Sequence, residues 1–215
     1  MSTKHGSAGR RLAAIASIAT GLLAQSALAE TIMDEWASLQ APPPPALKTP
    51  TIDRKTTALL LLDFNQQTCN PTRRPRCIAS IPKVKTLLTE ARAAGVPVVY
   101  SLGGGGKPAD IASDLAPAAN EPVVSSGVDK FINTDLEKIL KDKGVTTVVV
   151  TGTAAHGAVL YTASGAAMRG FKVIVPVDGM SAEMPYIEQY VAWHLVNAPV
   201  ISPAMTLTTI GDVKF

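Results

Sequence analysis

A short apolar run that breaks at a glycine and continues as small residues is the segment of this sequence best suited to hold a reacting molecule. Residues 148–150 are valines, Gly152 interrupts the run, and residues 153–158 are small or polar. This order predicts a strand, a tight turn and the start of a helix. Ligands of open α/β sheets bind at the carboxyl ends of strands, where the first N–H groups of the next helix stabilise negative charge. The residues expected to line such a pocket are Thr153, Ala154, His156 and Gly157.

A single carboxylate at the end of another apolar run is the candidate acid–base group for this pocket. Four leucines occupy positions 59–62, and Asp63 follows them. A carboxylate at the end of a buried strand is costly unless it is paired, and positioned carboxylates of this kind transfer protons in catalysis. The alternative is that Asp63 caps a helix or a turn. Asn65, two residues later, is a further candidate for substrate binding.

The elements that must position these groups alternate between short apolar runs and helical segments that end at glycine. The predicted strands are 58–63, 97–100, 148–150, 172–177 and 200–201, and the predicted helices are 83–94, 135–143, 158–170 and 183–197. Such alternation is typical of a parallel sheet covered by helices on both faces. We predict an α/β fold, a three-layer αβα sandwich with a mainly parallel sheet, over residues 57–215.

The N-terminal region has the features of an export signal. Residues 1–29 begin with Lys4, Arg10 and Arg11, continue through an apolar run and end in Ala-Leu-Ala, which predicts a cleaved signal peptide. The arginine pair leaves twin-arginine export open. Residues 30–56 include four consecutive prolines and are predicted to form an extended arm, and a neighbouring subunit is one surface it could cover.

The charge that remains after cleavage excludes one class of partner. The whole chain has 20 basic and 17 acidic residues, and the signal contains three of the basic ones and no acidic ones. A mature chain of zero net charge has no electrostatic footprint for nucleic acid. No apolar run reaches the ~20 residues that span a bilayer. We therefore expect a periplasmic or secreted protein that acts on a small molecule and not on a membrane.

The two cysteines of the chain enclose an arginine-rich segment. In an oxidising compartment Cys69 and Cys77 are expected to form a disulfide, and the alternative is a reactive thiol. Arginine forks match carboxylates, so Arg73, Arg74 or Arg76 could attract an anionic substrate. Ordinary surface solvation is the alternative for these arginines.

Several separated segments together resemble the isochorismatase-like hydrolases over about residues 57–208. They are the strand ending in aspartate at 59–66, the Asn-Thr-Asp-Leu segment at 133–136, the glycine turn at 151–156 and the strand end at 177–182. The resemblance implies hydrolase activity and a cis peptide bond between Thr153 and Ala154. Metal-binding members carry aspartate and histidine just after the first strand, and residues 64–68 contain neither, so we predict no metal and no cofactor. We also expect a homo-oligomer.

The resemblance also places the family's reactive residues. The cysteine nucleophile that members commonly use falls at Ala158, whose methyl group cannot react. True isochorismatases, which the Ala155-His156 pair resembles, have glycine there, and the aspartate protonates a vinyl ether carbon while water attacks. His156 would orient water or a substrate carboxylate, and capping of the helix start is the alternative.

The lysine that the family uses is missing from its usual place. It should lie about ten residues before the Thr-Asp-Leu segment, near Ser125. Lys130 lies five positions later and could reach the pocket from a shifted backbone. The alternative is a surface lysine that pairs with Asp129 or Asp135.

These observations favour an exported hydrolase of a small, anionic molecule. Its catalytic residues would be Asp63 as general acid/base and Lys130, with water as the nucleophile beside Ala158. Two alternatives stay open at this point. The chain could be a binding protein that has lost catalysis, or a variant of a cysteine amidohydrolase in which position 158 has changed from cysteine to alanine.

Overall fold

The computed structural model describes residues 31–215. The predicted signal peptide at residues 1–29 lies outside the described residues. Contacts divide the chain into a unit that ends at Pro42 and a second unit, Pro43–Phe215. The described part of the first unit contains one helical turn, α1 (Ile32–Glu35), with all its side chains exposed. Among the described residues, no helix has the length and apolar character needed to cross a membrane.

The second unit is an α/β sandwich. Its strands are β1 (Thr57–Leu62), β2 (Val98–Leu102), β3 (Val123–Ser125), β4 (Thr147–Thr153), β5 (Lys172–Pro176), β6 (Met180–Ser181) and β7 (Met205–Thr208). Its helices are α2 (Pro75–Ala93), α3 (Leu136–Asp142), α4 (Leu160–Met168) and α5 (Pro185–Asn197). The strand order is β3-β2-β1-β4-β5-β7, with β6 paired to β4, and every pairing is parallel. The predicted fold class is confirmed.

The sheet is buried on both faces because alternate residues of each central strand enter two separate cores. In β1, Leu60 and Leu62 pack with residues of α3, α4 and α5. Leu59 and Leu61 point the other way and pack with residues of α2. All six residues of β1 are buried, which explains why its sequence is a continuous apolar run without polar alternation.

The C-terminal part of the chain differs from the sequence prediction. The predicted strand at 200–201 is wrong, because Val200 has a φ of 72° and is exposed, and the last strand is β7. A 3₁₀ turn with a proline, Ser202–Ala204, separates the two. Helix α2 also begins eight residues earlier than predicted and contains Pro82 within it. Its start at Pro75 means that Cys77 lies in a helix and not in a loop.

Gly152 allows the two central strands, β1 and β4, to approach each other closely. It lies opposite Leu62 in the β1–β4 pairing and has a φ of 151°. A Cβ atom added there would lie 2.5 Å from the Leu62 carbonyl oxygen. Only glycine fits this position without moving the backbone that leads to Asp63.

Replacement of Gly152 by alanine is therefore expected to destabilise the protein by roughly 2 kcal/mol or more, from backbone strain and overpacking together. Thermal and urea unfolding would measure the change. Gly104→Ala is the matched control, since an added Cβ there meets no atom within 4 Å. Equal stability of the two variants would contradict the assignment of Gly152 as a packing constraint.

Candidate active site

Asp63 leaves the end of β1 in a conformation that turns its carboxylate towards the neighbouring strand. Its φ is 57°, a left-handed value that aspartate tolerates better than most residues. The Asp63 N–H donates to the Ser101 carbonyl at 3.1 Å, and the Ser101 hydroxyl donates to Asp63 Oδ1 at 2.8 Å. The carboxylate is therefore fixed at the carboxyl ends of β1 and β2, where ligands of such sheets bind.

Lys130 is the partner of this carboxylate. Its side chain is fully buried, and Nζ donates to Asp63 Oδ2 at 2.8 Å. Three backbone carbonyls surround the other two N–H groups of the ammonium, those of Gly127 at 2.7 Å, Ser126 at 3.3 Å and Leu102 at 3.4 Å. The alternative of a surface lysine paired with Asp129 or Asp135 is wrong. A buried ammonium is stable in the protein interior only when it is paired with a negative charge and hydrogen-bonded, and Lys130 meets both conditions.

The segment before Lys130 explains why family spacing misplaced the lysine. Ser125, where the spacing put it, is an exposed residue at the end of β3. The chain then turns, so that the Lys130 N–H donates to the Thr162 hydroxyl on α4 at 3.2 Å. Gly165, one turn further along α4, leaves room for the Asp129 carboxylate, which would lie 2.9 Å from an added Cβ. Thr162 and Gly165 on α4 therefore leave space for the segment that contains Lys130.

The glycine turn lies beside Asp63. Leu62 pairs with Gly152, so the residues that follow the two strands are neighbours at the sheet edge. The peptide bond between Thr153 and Ala154 is cis. Residues Ala155–Val159 form a π-helical turn that leads directly into α4, and Ala158 is buried within it. The position that the resemblance gives to the nucleophile therefore carries a buried methyl group.

The remaining predicted pocket residues divide by accessibility. Thr153 is fully buried, and its hydroxyl donates to the Ser181 carbonyl at 3.1 Å. Asn65 is also buried, and its Oδ1 accepts the N–H groups of Gln67 and Thr68, so it stabilises the turn after β1. Exposed surface is found instead at His156, Ala154 and Gly157. These last three are the predicted residues that a substrate could reach.

His156 does not cap a helix. The cap position belongs to Ala154, and no side-chain cap is present. His156 lies close enough to Glu183 to interact with it electrostatically. Burial is the largest single influence on the pKa of Glu183 and raises it. The hydrogen bond from Arg74, a backbone hydrogen bond and the nearby Arg74 and His156 together outweigh burial, so the pKa of Glu183 lies below its ordinary value.

The cysteines form the expected disulfide, which ties the turn after β1 to the start of α2. The two Cα atoms are 5.4 Å apart, and no free cysteine is present among residues 31–215. Arg74 is buried and pairs with Glu183 at 2.7 Å, while Arg76 pairs with Glu188 on α5. These two arginines are neutralised by carboxylates. In the part of the chain that the structure describes, Arg73 is the one of the three without a carboxylate partner, and its guanidinium donates to a carbonyl.

Ser101 is the site residue that the sequence reasoning missed. It is almost fully buried at the end of β2 and contacts Asp63 through both its backbone and its hydroxyl. The available signal was a polar residue after the apolar run of the neighbouring strand. Parallel strands bring their carboxyl ends to one edge, so a hydroxyl there was a candidate partner for Asp63.

Comparison with known proteins identifies the family of the chain. A family model described as the Isochorismatase domain matches residues 57–205. A secreted isochorismatase effector, Isc1, of Verticillium dahliae is 30% identical over 148 residues, which cover 63% of this chain and 78% of that protein. N-carbamoylsarcosine amidase of an Arthrobacter species is 29% identical over 145 residues, 54% of this chain and 55% of that enzyme. The chain belongs to the isochorismatase family of hydrolases.

Solved structures share the fold. A cysteine hydrolase of Pseudomonas syringae superposes with a TM-score of 0.66 at 23% identity, covering 78% of this chain and 94% of that one. An isochorismatase family protein of Desulfovibrio vulgaris gives 0.65 at 22% identity, covering 73% and 95%. At this identity the likeness concerns the αβα architecture.

Loss of the Lys130 charge is expected to destabilise the protein strongly. Lys130→Met leaves the Asp63 carboxylate buried without its partner, which typically costs about 3–5 kcal/mol. The matched control is Lys85→Met. Lys85 pairs with Asp114, but both side chains of that pair are 55% exposed, and exposed pairs contribute about 0–1 kcal/mol.

The double variant Asp63→Asn/Lys130→Met should recover part of the lost stability, because neither buried charge remains. Urea unfolding of the three variants measures these differences. A Lys130→Met variant as stable as Lys85→Met would refute the buried pair.

Proposed function

We propose that this chain is an exported hydrolase of a small molecule in which Asp63 is the general acid/base and water is the nucleophile. The observation that carries the proposal is a buried carboxylate, held by Lys130 and Ser101, beside a turn whose nucleophile position is Ala158. The family membership supplies the reaction class, which is hydrolysis.

The hydrogen bonds of Asp63 are those of a carboxylate that can accept a proton. Lys130 Nζ and the Ser101 hydroxyl both donate to the carboxylate, one to each oxygen. Each carboxylate oxygen has two lone pairs, so each can still accept one more hydrogen bond. Asp63 would take a proton from water as the water oxygen attacks the substrate. It would then return that proton to the leaving group when the substrate bond breaks, which restores the carboxylate.

The methyl group of Ala158 supports water as the nucleophile. The side chain has no atom that can form a covalent intermediate, and Ala155, in the same turn, has none either. The N–H groups that open a helix have no intrahelical partners and can stabilise the negative charge that develops on a carbonyl oxygen. The turn that contributes them runs without a break into α4.

The charge of the substrate and the export of the chain rest on separate observations. Arg74 and Arg76 are paired with carboxylates. Arg73 and His156 are therefore the residues that would bind an anionic substrate. Export is supported by the signal-like residues 1–29 and by the secreted relative of Verticillium dahliae.

Asp63→Asn is expected to lower turnover by about 10²–10⁴-fold, because the positioned proton acceptor is removed. The measurement is product formation by NMR and mass spectrometry over a panel of small carboxylates that contain amide, carbamoyl or vinyl ether bonds. Reactions in H₂¹⁸O follow the entry of water oxygen into product. Asp114→Asn, at the exposed lysine–aspartate pair, is the control and should keep wild-type turnover.

Full activity of Asp63→Asn would contradict the assigned role. Tight binding of a panel compound without any conversion would favour the non-catalytic binding protein. Circular dichroism on each variant separates loss of turnover from loss of folding, which matters because Asp63→Asn also leaves the Lys130 ammonium without its counter-charge.

Ala158→Cys tests the water mechanism against a cysteine mechanism. We expect turnover to fall by at least roughly tenfold, since a buried sulfur would take the place of the attacking water and small displacements at reacting centres are costly. Ala155→Cys, equally buried in the same turn, controls for packing. A gain of amidase activity that iodoacetamide abolishes, in Ala158→Cys alone, would support a cysteine amidohydrolase instead.

A further inference from the structure

We propose that Ser101 is a positioning residue for catalysis, which keeps Asp63 hydrogen-bonded in both of its protonation states. The inference rests on the proposed role of Asp63. Ser101 is 1% exposed, and its hydroxyl and backbone carbonyl both contact Asp63, at 2.8 Å and 3.1 Å. Among the described residues, Ser101 and Lys130 are the two side chains that donate to this carboxylate.

The two donors differ in what they can do when Asp63 takes up a proton. An ammonium has three N–H donors and no acceptor, and Lys130 already has four acceptors around it. It cannot accept a hydrogen bond from a carboxylic acid. Oδ2 therefore stays an acceptor towards Lys130, and the proton taken from water belongs on Oδ1.

Ser101 faces the oxygen that gains this proton. A hydroxyl donates through its one hydrogen and accepts through two lone pairs, and the hydrogen can rotate. It can donate to Oδ1 of the carboxylate and accept from Oδ1–H of the acid. When the water O–H bond breaks and the Oδ1–H bond forms, the Ser101 oxygen, Oδ1 and Oδ2 each keep a hydrogen-bond partner, and the reverse holds when the proton passes to the leaving group. An orphaned buried group would cost about 1–3 kcal/mol at that step.

The backbone contact adds an orientation that the hydroxyl alone would not give. Asp63 has a left-handed φ of 57°, and its N–H is held by the same residue that holds its Oδ1. Ser101 thus constrains both the main chain and the carboxylate of Asp63. A catalytic group needs this kind of support to remain within about 0.5 Å of its working position.

The test compares Ser101→Ala and Ser101→Thr with Thr151→Val. The Thr151 hydroxyl is also fully buried, but it donates to the Leu60 carbonyl and does not touch Asp63. Ser101→Ala should lower kcat by about 10–100-fold with KM within about threefold of wild type. Ser101→Thr keeps the hydroxyl and should retain at least about a third of kcat, even though its extra methyl lowers the melting temperature. Thr151→Val should lose stability with kcat unchanged.

A second readout needs no substrate. With ¹³C-labelled aspartate, the Asp63 carboxyl resonance should move at fixed pH in Ser101→Ala and stay in place in Thr151→Val. An unmoved resonance, or equal kcat values for Ser101→Ala and wild type, would overturn the role of Ser101. If Asp63→Asn is itself fully active, the proposed function fails first. If Asp63→Asn is inactive while Ser101→Ala is normal, the present inference alone fails.

Discussion

The buried ion pair between Lys130 and Asp63 is the interaction on which the arrangement of the site depends. A fully buried ammonium is stable only where its N–H groups find acceptors and a negative charge lies in contact. Three carbonyls, at the end of β2 and in the turn after β3, supply the acceptors. Asp63, in the turn after β1, supplies the negative charge. One pair of charges therefore joins two segments that are 67 residues apart in sequence.

Close packing around this pair depends on residues with little or no side chain. Gly152 brings β4 against β1 next to Asp63, and Gly165 on α4 leaves space for the segment that carries Lys130. The turn between them contains the small residues Ala155, Gly157 and Ala158. Neighbouring elements therefore pack closely at the site, and a few side chains between them provide its chemistry.

Electrostatic pairing also shapes the rim of the site. The disulfide of Cys69 and Cys77 holds the arginine-rich segment at the start of α2, and Arg74 and Arg76 then pair with carboxylates on the segment after β6 and on α5. In the sequence the charges of Arg74 and Arg76 are candidates for binding a substrate, but in the structure they join two structural elements. The lowered pKa of Glu183 is a consequence of the same pairing, with His156 adding to it.

The sequence by itself determined the layers of the fold, the position of Asp63 at a strand end and the disulfide, because periodicity, strand ends and cysteine number are local properties of the chain. The tertiary structure decided which residues meet. Spacing pointed to Ser125 for the lysine and apolar composition to a strand at 200–201, while the fold uses Lys130 and Met205–Thr208. It also brought Ser101 to Asp63. Such contacts depend on backbone turns and on the burial of charge, and these follow only from the packed structure.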